Sequence, residues 1–488
     1  HHGDVVDALY LFGEMQREED GIVANRATFL TMLNLCRTNG LLDEGKWIHY
    51  YIMCGGFDED SVIGTSLISM YGKLFSLNDA RNIFEQLPQY DVAIWNSIIS
   101  VYSQNEMGKD ALSLYDRMHG KGVLPDMITF VAILSSCANL EALHQGLQIH
   151  VLATNDEIDG NIILRNSLLN FYCKCGICED MERIFSDMRT RDVFSWNAML
   201  SGCIKCENTH FVLRMYYQMM EEGAIPDAIT YIALLSCYFS LVVVKRVHIC
   251  IRSNKHESDV IVGTALVNMY GKCGSPDDAE MGFNDIIYPN VFSWNAMIAV
   301  FSQQGTYNKA FHVFNKMTWE GVIVDKVTFH SILSLCTKPE YLVSGKWFHT
   351  LLITRGIDSD VLLGNALINM YGKCGEVSSA SVAFERMSEH DHFSWNALIM
   401  AHVQGGNGEN ALKIFHEMVW EGFLPDKVTF SSILSVCSSP ESIAKCRELH
   451  VHIRASCMNV DQVVGNALVT MYGKCDCIDD SLKSFYYM

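Results

Sequence analysis

Positive charge is scarce in this chain: 36 Lys and Arg stand against 56 Asp and Glu, a formal net charge of −20. That deficit argues against non-specific binding to duplex nucleic acid, which depends on cations neutralising phosphates. It leaves room for a local basic row on an acidic body. Proline is rare, 8 in 488 residues, and no Ser/Pro-rich or charge-run segment occurs, which argues against disorder and long linkers. The longest apolar run, residues 232–244, is too short to cross a bilayer and stops at Lys245 and Arg246. It reads as a buried helix, and no membrane partner is expected. Gly-rich phosphate loops and nucleophile elbows are also missing. The chain begins at His1 without Met and stops at Met488 in mid-pattern, so it reads as a fragment.

What is present is periodicity. A Trp-Asn pair recurs at Trp95, Trp196, Trp294 and Trp395, spaced 101, 98 and 101 residues apart. Tyr71, Tyr172, Tyr270, Tyr371 and Tyr472, mostly within "MYGK", repeat on the same period, as do Thr28, Thr129, Thr230, Thr328 and Thr429. Each block of about 100 residues therefore holds three related units, of 35, 31 and 35 residues. The third block is three residues short, and the loss falls between Ile232 and Asp259.

Each unit reads as two amphipathic helices. From Val291, the residues Trp294, Met297, Ile298 and Phe301 fall at i, i+3, i+4 and i+7, and Ala310, Val313, Phe314 and Met317 do the same after a Gly-containing turn. Gly122, Gly223, Gly321 and Gly422 end the second helices. A helical hairpin of this size cannot bury its apolar face alone, so neighbours must stack. The fold expected is all-α, one continuous α-solenoid superhelix of about fifteen helix-turn-helix repeats.

The units resemble pentatricopeptide repeats of the triplet class, with P, L and S variants. "DVFSWNAMLSG…MYYQMMEEGAIPD" carries the P likeness, "AITYIALLSC" the L, and "VIVGTALVNMYGKCGSPDDAEMGF" the S. On this reading residues 1–25 are a partial P unit, and residues 26–126, 127–227, 228–325 and 326–426 are L-S-P triplets. Residues 427–488 hold an L and a partial S unit. The resemblance implies a right-handed superhelix that binds single-stranded RNA at about one nucleotide per repeat, reading splayed bases with a few side chains at fixed slots. The Trp of each P unit is expected to face the core and the following Asn the groove.

By that resemblance the fifth and last residues of a unit together select the base. Thr65 with Asp91 implies G, and Thr264 with Asn290 implies A. U is implied by Asn96 with Asp126, Asn166 with Asp192, Asn197 with Asp227, Asn295 with Asp325, Asn365 with Asp391, and Asn396 with Asp426. Asn466 holds the same slot in the incomplete last unit. The L units, with Val131, Ile232 and His330 in the fifth slot, are uninformative. The implied partner is a pyrimidine-rich strand, 5′-GUNUUNAUNUU-3′. Second-slot residues Phe194, Phe292 and Phe393, with Val62, Ile163, Ile261, Leu362 and Val463, are candidates to sandwich bases; the alternative is inter-repeat packing. Lys73, Lys174, Lys272, Lys373 and Lys474 share one S slot and form a candidate phosphate row, or else solvated helix-end lysines.

The last residue of a complete unit is Asp eleven times and Asn three times in fourteen. An Asp there suits hydrogen-bond acceptance, or orientation of the Asn, in telling U from C. Cys and His recur in L units as Cys36/His49, Cys137/His150, Cys237/His248, Cys336/His349 and Cys437/His450. One Cys and one His per repeat do not converge as structural zinc requires, so packing is the reading taken. Cys175, Cys273, Cys374 and Cys475 read as a buried small slot in a reducing compartment. The spacings Cys175/Cys178 and Cys203/Cys206 are not read as a metal site, and neither metal nor cofactor is expected.

Proteins of the resembled class often end in a deaminase-like domain, which needs H-x-E with a later C-x-x-C. No His here is followed two residues later by Glu, so the chain reads as non-catalytic. The function expected is specific RNA binding in a mitochondrion or chloroplast that targets C-to-U editing by a further domain or partner, with editing cofactors as further partners. RNA stabilisation or processing without editing is the alternative, and a protein-binding scaffold a more distant one.

Overall fold

The computed structural model describes residues 2–17, 24–155, 161–206, 209–237, 239–436, 443–456 and 461–486. Among these are 29 α-helices, one short 3-10 helix at Pro339–Tyr341, and no strand. The helices group into two compact units, His1–Tyr238 and Phe239–Met488. Within each, the first helix of a repeat packs on its own second helix and on the first helix of the next repeat. In the earlier unit the first helices run in order from Arg26–Asn39 through Ser61–Lys73, Val92–Gln104, Met127–Leu140 and Ile162–Cys175 to Val193–Lys205 and Ala228–Ser236. In the later unit they run from Val260–Lys272 and Val291–Gln303 to Lys427–Leu434 and Gln462–Lys474. Each unit is thus an α-solenoid in which every repeat borrows its core from its neighbours.

The 3.6-residue periodicity sets which faces meet. Trp294, Met297, Ile298 and Phe301 on one helix, and Ala310, Val313, Phe314 and Met317 on the next, are all buried. The repeating Trp has a repeating partner: Trp95, Trp196, Trp294 and Trp395 each meet edge-on a Phe from the preceding S unit, at 4.7–4.9 Å between centroids. Such pairs add about 0.5–1.5 kcal/mol beyond area burial. The Gly of "MYGK" marks close approach of successive first helices. A Cβ on Gly72 would fall 2.3 Å from Val101, and one on Gly271 would fall 2.5 Å from Val300. Where Cys173 replaces that glycine, the facing residue is Gly202, so one member of the pair stays small.

Residues 232–244 are not one buried helix, contrary to expectation. The first helix Ala228–Ser236 ends there and the second helix Leu241–Ser253 begins, with Val242 63% exposed. This L first helix is 9 residues long, close to the 10 of Lys326–Leu335 and the 8 of Lys427–Leu434, so one apolar run serves two helices.

Candidate nucleic-acid interface

The last residue of each repeat is first of all a helix cap. From Asn25 to Asp461, every unit-ending Asp or Asn precedes a first helix and accepts from its N–H groups. The helix N-terminus leaves such donors unpaired, which is why Asp and Asn recur there. At Asp126, Asp192, Asp227, Asp325, Asp391 and Asp426 a Thr or Ser three residues on completes a capping box.

The fifth-slot Asn joins this cap across the repeat boundary. Asn96 Nδ2 donates to both carboxylate oxygens of Asp126 at 2.9 and 3.0 Å, while its Oδ1 accepts from Thr129 Oγ1 at 2.6 Å. The same triad links Asn197 with Asp227 and Thr230, Asn295 with Asp325 and Thr328, and Asn396 with Asp426 and Thr429. Asn166 meets Asp192 and Ser195 likewise, and Asn365 donates to Asp391. In P units these asparagines are only 6–8% exposed. The Asn, which the resemblance turned toward the groove, is thus held in place by the Asp, as one of the two roles left open for that Asp required. It lies in a polar seam because burial without partners would be costly, and the Asp carries the more open edge. Burial pushes the carboxyls of Asp192, Asp227, Asp325, Asp391 and Asp426 up, but hydrogen bonds from Ser or Thr and from the Asn amide outweigh it and hold them below their usual range.

Thr65 and Thr264 are wired differently. Thr65 bonds its own helix at Val62 O, and Asp91 caps without it. Thr264 meets Ser293, and Asn290 accepts from Ser293 through Oδ1, leaving its Nδ2 outside that set of bonds. Asn466 is exposed in its half-slot.

The second-slot residues stand out from the first helices. Phe194, Phe292 and Phe393 are 71%, 68% and 72% exposed, and Val62, Ile163, Ile261, Leu362 and Val463 are exposed too. Packing does not explain them. The row continues through L units at Ile128, Ile229, Val327 and Val428, also exposed. Those four were missed from the sequence although they share the slot two residues past the cap. Each apolar side chain lies three residues before the fifth slot, on one helix face. Lys73, Lys272, Lys373 and Lys474 are exposed in the last turn of their S helices, whereas Lys174 donates to Asn139 at 2.6 Å.

The L-unit histidines have a partner that the sequence reading did not assign. His49, His150, His248, His349 and His450 each place Nδ1 2.7–2.9 Å from the hydroxyl of Tyr71, Tyr172, Tyr270, Tyr371 or Tyr472 in the following S unit. The constant 22-residue separation was the available signal. Cys36, Cys137 and Cys336 are buried, with thiols pushed up to about 11, 12 and 12 by burial, while Cys437 lies outside the described residues. Of the S-slot cysteines only Cys475 is fully buried; Cys273 and Cys374 are half-buried, with thiols against the carbonyls of Phe239 and Cys336.

Cys178 and Cys206 form a disulfide between adjacent repeats, their Cα atoms 6.7 Å apart. The C-x-x-C partners Cys175 and Cys203 remain thiols, so neither motif acts as a pair. The four S-slot cysteines, read as thiols in a reducing compartment, are not part of this bond. Neither Cys178 nor Cys206 occupies a repeat-consensus slot, so sequence pattern could not match them.

Burial lowers the imidazoles of His49, His248, His349 and His450. The unfolded chain then binds more protons than the folded one below about pH 6.5, so stability falls as pH drops through that window. Thermal midpoints are expected to be lower at pH 5.5 than at 7.5, with His349→Gln flattening the dependence. An unchanged slope in that variant would remove the pair from the explanation.

The model of the PPR repeat family matches residues 90–139, 191–240, 289–338 and 390–439, and the PPR repeat model matches 164–193, 264–288 and 365–392. Among Arabidopsis thaliana relatives, the pentatricopeptide repeat-containing protein At3g20730 is 34% identical over 418 residues, covering 84% of this chain and 74% of its own length. The chloroplastic relative At1g11290 is 31% identical over 438 residues, covering 89% and 54%, and the mitochondrial At3g09040 is 30% identical over 483 residues, covering 98% and 47%. The chain spans about half the length of these last two. The crystal structure of the maize pentatricopeptide repeat protein PPR10 has the same fold, with a TM-score of 0.62 at 18% identity over 98% of this chain and 75% of that one. The chain belongs to the pentatricopeptide repeat family.

Proposed function

We propose that the repeats form one triplet-class array that binds single-stranded RNA at about one nucleotide per repeat, preferring 5′-GUNUUNAUNUU-3′. The observation that carries this reading is the row of exposed second-slot apolar side chains, each one helical turn from a fifth-slot residue. Bases unstacked from the strand fit between such side chains, and their Watson–Crick edges then meet the polar seam. In the Asn–Asp units the carboxylate is an acceptor only. In Asp192, Asp325 and Asp391 the Asn bonds Oδ1 alone, so Oδ2 remains to accept from N3–H of uracil. Cytosine offers an acceptor at that position and is repelled. At Thr264 with Asn290, the Nδ2 outside the cap donates to the N1 acceptor of adenine. The exposed lysines at the S-helix ends hold phosphates and answer the acidity of the body.

The bound transcript is organellar, and binding positions a cytidine downstream for C-to-U editing by a domain or partner beyond these residues. Relatives named for the chloroplast and the mitochondrion support the organelle. The test is binding to 5′-GUNUUNAUNUU-3′ against the same RNA with its U and A positions exchanged, at near-physiological salt. Tight binding to the first alone is expected, with Asn295→Thr weakening the preference for U at the eighth nucleotide. Equal or absent binding to the two strands would sink the base assignment. An H-x-E…C-x-x-C segment in the complete gene would separate editing from transcript stabilisation.

A further inference from the structure

One cluster of ligating side chains lies outside the repeat pattern. His416 sits on the P second helix Gly408–Trp420, and Glu448 and His452 lie one turn apart on the next L second helix, Ile443–Ala455. One ligand atom from each lies within 4.8 Å of the other two. His416 and Glu448 are exposed and His452 is half-buried, edge-on to Phe415 at 5.9 Å. All three depart from the preceding block, where the residues 101 positions earlier are Asn315, Trp347 and Leu351. There Trp347 packs edge-on against Phe314 and Phe348. In the later repeat pair, an aromatic packing slot has been exchanged for two imidazoles and a carboxylate.

We infer that His416, Glu448 and His452 bind a divalent transition-metal ion that staples the two second helices together. Two imidazole nitrogens with one carboxylate oxygen suit Zn(II), Ni(II) or Co(II), whereas Mg(II) and Ca(II) prefer all-oxygen sites. Tetrahedral coordination at about 2.0–2.1 Å brings ligand atoms roughly 3.3 Å apart. Rotation of the exposed His416 and Glu448 side chains toward the half-buried His452 would close the remaining distance. A cavity of about 270 Å³ beside His416 and Glu448, lined also by Leu412 and Leu449, leaves room for water or an outside donor at the fourth position. Lys445, on its rim, is drawn toward Glu409 at 3.9 Å. The site is separate from the RNA reading, because it is built on second helices and uses no second-slot or fifth-slot residue.

Ni(II) titration by calorimetry, with the protein reduced and pre-treated with EDTA, tests it. Other histidines and cysteines also bind Ni(II), so the readout is the difference between wild type and a variant carrying the preceding block's residues: His416→Asn, Glu448→Trp and His452→Leu. Wild type is expected to bind one equivalent more than this variant, and His452→Gln alone to weaken that equivalent at least tenfold. Ni(II) should also raise the thermal midpoint of wild type more than that of either variant. Equal stoichiometry and affinity in wild type and His452→Gln would overturn the site. His452→Gln keeps a polar side chain at a half-buried position, so the test does not depend on the triple variant folding.

Discussion

Asp325→Ala is expected to cost roughly 2–4 kcal/mol of local stability, although the side chain is only partly buried. Loss of an N-cap accounts for about 1 kcal/mol. The larger share comes from Asn295, whose amide donates to Asp325 at 3.1 Å and is 8% exposed. An unsatisfied buried amide adds about 1–3 kcal/mol. Asp360→Ala is the control, because Asp360 caps Val361–Lys373 through Leu362 and Leu363 but holds no fifth-slot Asn. Its other partner, Lys326 at 2.6 Å, is more than half exposed and adds little. Asp360→Ala should therefore cost about 1 kcal/mol. Repeat arrays need not unfold in two states, so hydrogen exchange at the amides of the following helix is the better readout. Equal losses in the two variants would mean that the seam adds nothing to the cap.

The second large effect falls on RNA and leaves the fold alone. Phe194→Ala, Phe292→Ala and Phe393→Ala are each expected to weaken binding of the proposed strand by about 1–3 kcal/mol, roughly 5- to 150-fold. The rings are about 70% exposed, so folding stability should change by no more than about 0.5 kcal/mol. Trp294→Ala should do the reverse. Trp294 is fully buried against Phe283 at 4.7 Å, and its truncation is expected to cost about 3–5 kcal/mol of stability. Circular dichroism melts and fluorescence anisotropy on the same samples separate the two. RNA affinity unchanged by all three Phe substitutions would leave the exposed row without a ligand.

The seam also changes the weight of the pairs proposed to select bases. A protein-binding scaffold by itself gives no reason for Asn or Thr in one slot and Asp or Asn in another. Capping supplies a reason for Asp126, Asp227 and Asp325, and the Asn bonds supply one for Asn96, Asn197 and Asn295. The pairing alone no longer separates the two readings. Exposure of Phe194, Phe292 and Phe393 shows that capping and packing do not use them, but stacked bases and a partner's apolar side chains would both fit, so the RNA titration is what separates the two readings.

The helix-turn-helix repeat, its period and its core face were legible in the sequence, because a 3.6-residue apolar rhythm copied every hundred residues leaves few alternatives. Trp294 and Phe314 were assigned to the core, and both are buried. Of the contacts between side chains in different repeats, only the pairing of the fifth-slot Asn with the unit-ending Asp was anticipated, through the resemblance, and its place in the helix cap was not. Asn96 meets Asp126 thirty residues on, His349 meets Tyr371 across 22, and Cys178 finds Cys206 across 28. The apolar run at residues 232–244 failed for a related reason: composition does not say where one helix ends and the next begins. Sequence by itself determined what each repeat is, since hydrophobic period and cap chemistry act within a few residues. Only the tertiary structure decided what passes between repeats, because hydrogen bonds and the disulfide depend on ångström-scale approach of residues the chain holds far apart.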